Sequence, residues 1–230
     1  MRKTIAVLTA AGMMIPLAAH AVNGRGWLMV GGGGGMYAMA DLNAEIDAIN
    51  AAYAGTGWSF RRVEQGRLFG GAMGFETAGQ WNFGLGFDRL DAGTQASDGN
   101  GALEYRFGAN AWRAFAEYAL KPIGRSAFFF GGVIGILQES GKQIESATGS
   151  APVEYKIHGT GPLFEGHVGG NWWATPTFAV TATVGYRYAT VNEVKVENPS
   201  SVSNREVPSL DFSGPCARVG IKVATKRLSE

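Results

Sequence analysis

The chain has 230 residues, 17% of them charged, a formal net charge of +1, 35 glycines and one cysteine. A near-neutral balance without a basic face argues against nucleic acid as a partner. The lone Cys216 excludes an intramolecular disulfide, and the glycines spread along the chain, together with the aromatics, point to tightly packed strands more than to disorder.

The chain opens Met1-Arg2-Lys3, continues through an apolar run from Ile5 to Ala19 interrupted by Pro16, and reaches Ala19-His20-Ala21. A basic start, a short apolar centre and a small-x-small end form the pattern of a cleavable export signal. The expectation is a signal peptide over residues 1–21, cut after Ala21, and one mature domain over 22–230. The run is too short and alanine-rich for a spanning helix, which needs about 20 apolar residues. Removal of Arg2 and Lys3 leaves 18 basic against 19 acidic residues, a net charge of about −1.

Period-two alternation then dominates. The first segment, about 25–39, contains the five glycines Gly31 to Gly35. No Lys-Ser tail follows them, so they read as a curved strand and not as a phosphate loop. Leu42, Ile46, Ile49 and Tyr53 recur at helical spacing, with Asp41 as a candidate N-cap and Gly55 as a stop, predicting a short helix at 41–54. That helix would cap a barrel mouth or lie at an outer-leaflet boundary. Strands are predicted at 60–76 and 81–91, the second with Trp81, Phe83, Leu85 and Phe87 on one face. At 102–119 the phase slips. Leu103, Tyr105, Phe107 and Ala109 share the odd register, whereas Trp112, Ala114, Ala116 and Tyr118 share the even one, which predicts a bulge near Gly108 to Ala111. Further strands are predicted at 127–140, 162–174, 178–195 and 209–225. The clearest runs from Phe178 to Tyr188, with Phe178, Val180, Val184, Tyr186 and Tyr188 on one face and Thr181, Thr183, Gly185 and Arg187 on the other. Pro215 is a misfit inside the last segment, since it cannot donate to a ladder.

Connections after the second, fourth and sixth segments are short, and those after the odd segments are long and polar. Short turns on one rim and long loops on the other mark a membrane-spanning β-barrel. Trp81, Tyr118, Phe128, Trp172, Trp173 and Phe178, with Trp27, fall at the short-turn level. Tyr37, Phe87, Tyr105, Tyr186 and Tyr188 fall nearer the long loops. Two aromatic belts fit the two interfaces of a bilayer. A soluble β-core would need a second apolar layer, which the polar, glycine-rich opposite face does not supply. The fold class is therefore all-β, an eight-stranded antiparallel transmembrane barrel with a short helix in its first outward loop.

This architecture resembles the small outer-membrane barrels of the OmpA/OmpX/OmpW-like group, over nearly the whole mature chain. Arg218-Val219-Gly220-Ile221-Lys222-Val223-Ala224 looks like the C-terminal assembly signal of such barrels, without their terminal aromatic. The resemblance implies an outer-membrane location, periplasmic termini, a monomer, outer-membrane lipids and lipopolysaccharide as surroundings, and insertion by the barrel assembly machinery.

Eight strands enclose an interior that side chains fill, or that holds one small ligand. The inward register is predicted to collect Glu76, Asp88, Glu104, Arg106, Glu165, His167, Asn171, Arg187, Arg218 and Lys222. Charges inside a lipid-embedded wall must pair or meet water. The network would plug the lumen or gate a narrow polar path. Serine chemistry would need a histidine base. His158 with Ser200, Ser201 or Ser203 is the candidate pair, but it is unpatterned, and no enzyme, cofactor or metal site is expected. The functional expectation is a non-enzymatic barrel serving envelope structure or surface interaction. The alternatives are a minor channel or carrier for small solutes and a lipid-modifying enzyme.

Overall fold

The computed structural model describes residues 24–55, 57, 59–98, 101–147, 152–192, 194–197, 205–207 and 209–225. The predicted signal peptide and Ser200, Ser201 and Ser203 lie outside them. Strand β1 (Arg25–Met36) leads into helix α1 (Ala40–Ala52). Then follow β2 (Gln65–Glu76), β3 (Trp81–Asp98), β4 (Gly101–Ala119), β5 (Ser126–Ala147), β6 (Val153–Thr175) and β7 (Phe178–Val191). Three short strands, β8 (Val194–Glu197), β9 (Arg205–Val207) and β10 (Leu210–Asp211), precede β11 (Gly214–Ala224).

Strands β1 to β7 pair antiparallel with their chain neighbours, and β11 pairs with both β7 and β1, from Trp27↔Ala224 to Gly35↔Cys216. Eight long strands thus close into a ring without a free edge at membrane level, as a lipid-embedded sheet requires. The glycine run sits at the closing seam. A Cβ at Gly33 would lie 1.9 Å from the Ala217 carbonyl oxygen and 2.9 Å from the Cα of Arg218. Only a hydrogen on that Cα lets β1 and β11 approach there. Pro215 is the second residue of β11 and lies opposite Tyr186, whereas the ladder to β1 starts one residue later, at Cys216. Its missing donor therefore breaks no pair along that seam.

The wall has two levels with opposite polarity. In the lower part, Leu28, Phe69, Leu85, Ile134, Val168, Val184 and Val219 point outward, each more than half exposed. The inward positions there are polar. An apolar exterior over a polar interior is the arrangement of a lipid-facing barrel. Above Phe87, Trp112 and Ile136 the pattern inverts. Leu90, Phe107, Leu137, Ile157, Leu163, Val191, Leu210 and Phe212 point inward and are at most 2% exposed, while Arg89, Asp91, Arg106 and Lys142 face outward. The upper barrel is filled as a soluble protein is.

Helix α1 caps this apolar plug, inserting Leu42 and Ile46, with Met39 wholly buried at its entrance. Met39 is the N-cap, with φ 41°, and Asp41 sits in the first turn, accepting a hydrogen bond from the Ser209 hydroxyl at 2.6 Å. The expected Asp41 cap is therefore replaced by backbone geometry. Two asparagines fasten the helix to the returning chain. Asn43 exchanges side-chain hydrogen bonds with both backbone groups of Val63, and Asn50 does the same with Phe60.

The predicted bulge in β4 does not exist. Pairing with β3 holds one register from Trp81↔Tyr118 to Asp98↔Gly101, and pairing with β5 keeps one register on both sides of Phe107 and Gly108. The slip in the sequence marks the height at which lipid gives way to water outside and the polar lumen gives way to an apolar plug inside. The register shift that does occur lies between Trp173 and Thr175, facing β7. The predicted loops near 92–101 and 141–161 are largely continued strand, in hairpins that rise above the lipid level. Pro162, expected to open a strand, lies within β6. Pairing with β7 begins at Leu163, whereas β8 takes over at His158, so the proline marks the change of partner.

Four aromatics placed in the belts by sequence are inside instead, among them Trp173, which is partly buried against the inner core. Trp27, Tyr37 and Tyr105 are 4%, 4% and 9% exposed. Trp81, Phe128 and Trp172 at the short-turn rim and Tyr186 and Tyr188 higher up do face outward.

Candidate functional site: the charged lumen

Alternation on each strand sends every second side chain inward, and closure brings these rows together across strands. Asp88 of β3, Glu165 of β6, Arg187 of β7 and Arg218 of β11 meet near mid-height. They are joined by Arg113 of β4. Arg218 bridges the two carboxylates, its Nη2 lying 2.7 Å from Glu165 Oε2 and 3.1 Å from Asp88 Oδ2. Arg113 Nε lies 3.0 Å from Asp88 Oδ2, and Arg187 Nε lies 3.4 Å from Glu165 Oε2. The side chains of Glu165 and Arg187 are each 1% exposed. Three guanidinium groups thus enclose two carboxylates whose side chains are 4% and 1% exposed. Burial at this level is tolerable because each carboxylate has at least one cation in contact.

A second tier lies below. His167 Nε2 is 3.0 Å from Glu117 Oε1, and His167 Nδ1 faces Glu165 Oε1 at 3.7 Å without a hydrogen bond, so His167 stands between the tiers. Arg25 pairs with Glu76 at 2.8 Å and stacks over Trp173 at 4.0 Å. The ammonium of Lys222 lies 4.1 Å from the Trp27 ring centroid. A cation over an indole face is held by the ring quadrupole. Asn171 is buried in the same tier.

Eight of the ten residues assigned to the lumen by sequence are therefore inside: Glu76, Asp88, Glu165, His167, Asn171, Arg187, Arg218 and Lys222. Glu104 and Arg106 are not. They lie on the outer face above the lipid level and pair with each other at 2.6 Å. The expectation of inward side chains there carried the lower barrel's polarity into the upper barrel, where it is reversed. Arg113, Glu117 and Arg25 were missed. Arg113 and Glu117 lie on the odd register of β4, opposite to Trp112, Ala114, Ala116 and Tyr118. A single register for the whole strand would have found them.

The network leaves little open space. The two cavities within it are each about 20 Å³, lined by Asp88, Arg113, Arg218 and Thr183 in one and by Glu117, His167, Asn171 and Lys222 in the other. Each has room for about one water molecule. The Nε groups of Arg113 and Arg218 and both Nη groups of Arg187 have no hydrogen-bond partner within the described residues. Cys216 is a buried free thiol. His158 projects outward from β6 in the upper hairpin, opposite Ser140.

No protein-family model matches the chain, and no curated protein matches it. Solved structures do. The attachment invasion locus protein Ail of Yersinia pestis, in complex with the heparin analogue sucrose octasulfate, aligns over 88% of this chain and 99% of its own, at 13% identity and a TM-score of 0.48. The outer membrane protein AlkL in lipid bilayers aligns over 89% and 92%, at 11% identity and a TM-score of 0.38. The outer membrane protease OmpT of Escherichia coli aligns over 88% and 96%, at 11% identity and 0.27.

Proposed function

We propose that this chain is a non-enzymatic integral protein of the outer membrane, whose sealed barrel presents a rigid extracellular rim for envelope structure or surface interaction. The observation that carries the reading is the filled lumen. Three inward arginines clasp Asp88 and Glu165, and two cavities among these side chains hold about one water each. Above them lies a second seal of apolar side chains, closed by α1. A solute path would have to open both layers, and each is stabilised independently, one by ion pairs and one by apolar burial.

Planar-bilayer recording tests this reading. Folded wild-type protein is expected to give no discrete conductance steps. Regular steps that vanish on Arg187→Ala would favour the channel alternative and refute the sealed barrel. Lipid profiles of cells with and without the protein are expected to match, and altered acylation lost in His158→Ala would establish an enzyme.

A further inference from the structure

The outer face of the barrel carries two concavities, the upper on β2 to β5 and the lower extending over β1 to β6. The upper is a cleft of about 590 Å³ lined by Arg67, Arg89, Arg106 and Lys142, with Asp91 the acidic residue on its wall. It lies just above Phe87, Trp112 and Ile136, the top of the lipid-facing surface. The lower is an apolar groove of about 1120 Å³ on strands β1 to β6, lined by residues such as Met73, Leu85, Trp112 and Ile134. Gly71 and Ala114, outward positions without bulk, set its wall back.

Three of the cleft's four cations are paired with carboxylates, which leaves an excess of one positive charge. Arg89 is bonded to Asp91 at 2.9 Å, Arg106 to Glu104 at 2.6 Å and Lys142 to Glu154 at 2.8 Å. Arg67 has no ion-pair partner among the described residues. Arg89 lies flat along the wall, because Gly108 offers no side chain. A Cβ there would sit 1.8 Å from Arg89 Nη2. Asn110 and Ser140 hold the same guanidinium at 3.1 Å each. Arg106 and Lys142 are direct partners across β4 and β5 and both face outward. Like charges directly opposite on a sheet repel, and Glu104 and Glu154 offset the repulsion from one side each.

We propose that cleft and groove form one lipid site. A phosphorylated headgroup sits between Arg67, Arg106 and Lys142, and its acyl chains descend against Met73, Leu85 and Trp112. The unpaired Arg67 calls for an anion, and the position just above the lipid-facing surface calls for one attached to hydrocarbon. Cations at the edge of an apolar belt attract anionic headgroups. The proposal rests on the membrane-spanning reading and adds to it a lipid selectivity.

The test uses the full chain folded in phosphatidylcholine micelles, titrated with phosphatidic acid and read by native mass spectrometry. Phosphatidic acid is expected to be retained in preference to added phosphatidylcholine. Arg67→Gln with Lys142→Gln should weaken its binding roughly 30-fold, the loss expected for two interfacial cations. Arg62→Gln, at the mouth beside Asp47, should leave it unchanged. With wild-type protein alone, raising the ionic strength from about 0.05 to about 0.5 M should weaken binding of phosphatidic acid and not of phosphatidylcholine. Unchanged affinity in the double variant, equal retention of both lipids, or salt-insensitive binding would overturn the proposal. So would displacement of phosphatidic acid by an equal concentration of inorganic phosphate, which would mean that the acyl chains contribute nothing. Heat-dependent gel migration is read on the same samples. Lost selectivity with intact migration refutes the lipid site alone and leaves the membrane barrel standing.

Discussion

Substitution of Arg218 by Met removes the cation that touches both lumen carboxylates while keeping a side chain of similar length. Wild-type Glu165 is approached by Arg218 at 2.7 Å and by Arg187 at 3.4 Å, and Asp88 by Arg218 at 3.1 Å and Arg113 at 3.0 Å. After the change, Asp88 keeps its better partner, but Glu165 keeps only the longer contact. Two arginines still face two carboxylates, so the cost should fall near the lower end for a broken buried pair, about 3 kcal/mol. Glu165→Gln leaves three arginines around Asp88 alone. That excess of buried positive charge should cost more, about 4–5 kcal/mol. The double variant restores the wild-type excess of one cation and should be less destabilised than the sum of the singles by at least about 1 kcal/mol. Urea titration of the barrel refolded in micelles, followed by tryptophan fluorescence and by gel migration, measures all three midpoints. Arg106→Met, which breaks an outward pair, is the control and should not move the midpoint. Equal midpoints for Arg218→Met and Arg106→Met, or strict additivity in the double variant, would refute the account of the lumen as a coupled network.

Other expectations follow from the upper level and from the seam. Glu139 lies above the lipid-facing belt and is buried among apolar side chains, with neither carboxylate oxygen hydrogen-bonded. Burial pushes its pKa up to about 8, with Arg89 opposing. The unfolded carboxyl ionises near 4.5, so between there and about 8 the folded state holds a proton that the unfolded state has released. Stability should therefore fall with rising pH across that window by about 1.4 kcal/mol per unit, and level off above it. Glu139→Gln should flatten the dependence, and urea midpoints between pH 5 and 9 check this. Gly33→Val would drive a side chain into the Ala217 carbonyl, and the barrel should fail to close, seen as loss of heat-shifted migration. Ile46→Ala removes a side chain 1% exposed from the plug and should cost about 2–4 kcal/mol locally. It should be detected as faster amide exchange in α1 while the exchange of the lumen strands stays unchanged.

Alternation, turn length and the spacing of aromatics were enough, in the sequence alone, to indicate eight antiparallel strands and the short and long rims, and helical spacing placed a short helix in the first long loop. These properties are local, since each depends on which neighbours along the chain share a face. The same local logic found Asp88, Glu165, Arg187 and Arg218, because all four lie on strands whose outward faces are plainly apolar. It failed on β4. Glu104 and Arg106 alternate with Tyr105 and Phe107 as regularly as Arg113 and Glu117 alternate with Trp112, Ala114 and Tyr118, but alternation says only that two faces differ, and not which one meets lipid. That depends on height above the membrane, which tertiary structure sets through the hairpins that rise past the belt and the helix that caps the plug. The ion pairs were likewise beyond sequence. Arg218 meets Asp88 and Glu165 only because β11 closes against β1 and β7, and no local pattern records which rows closure brings face to face.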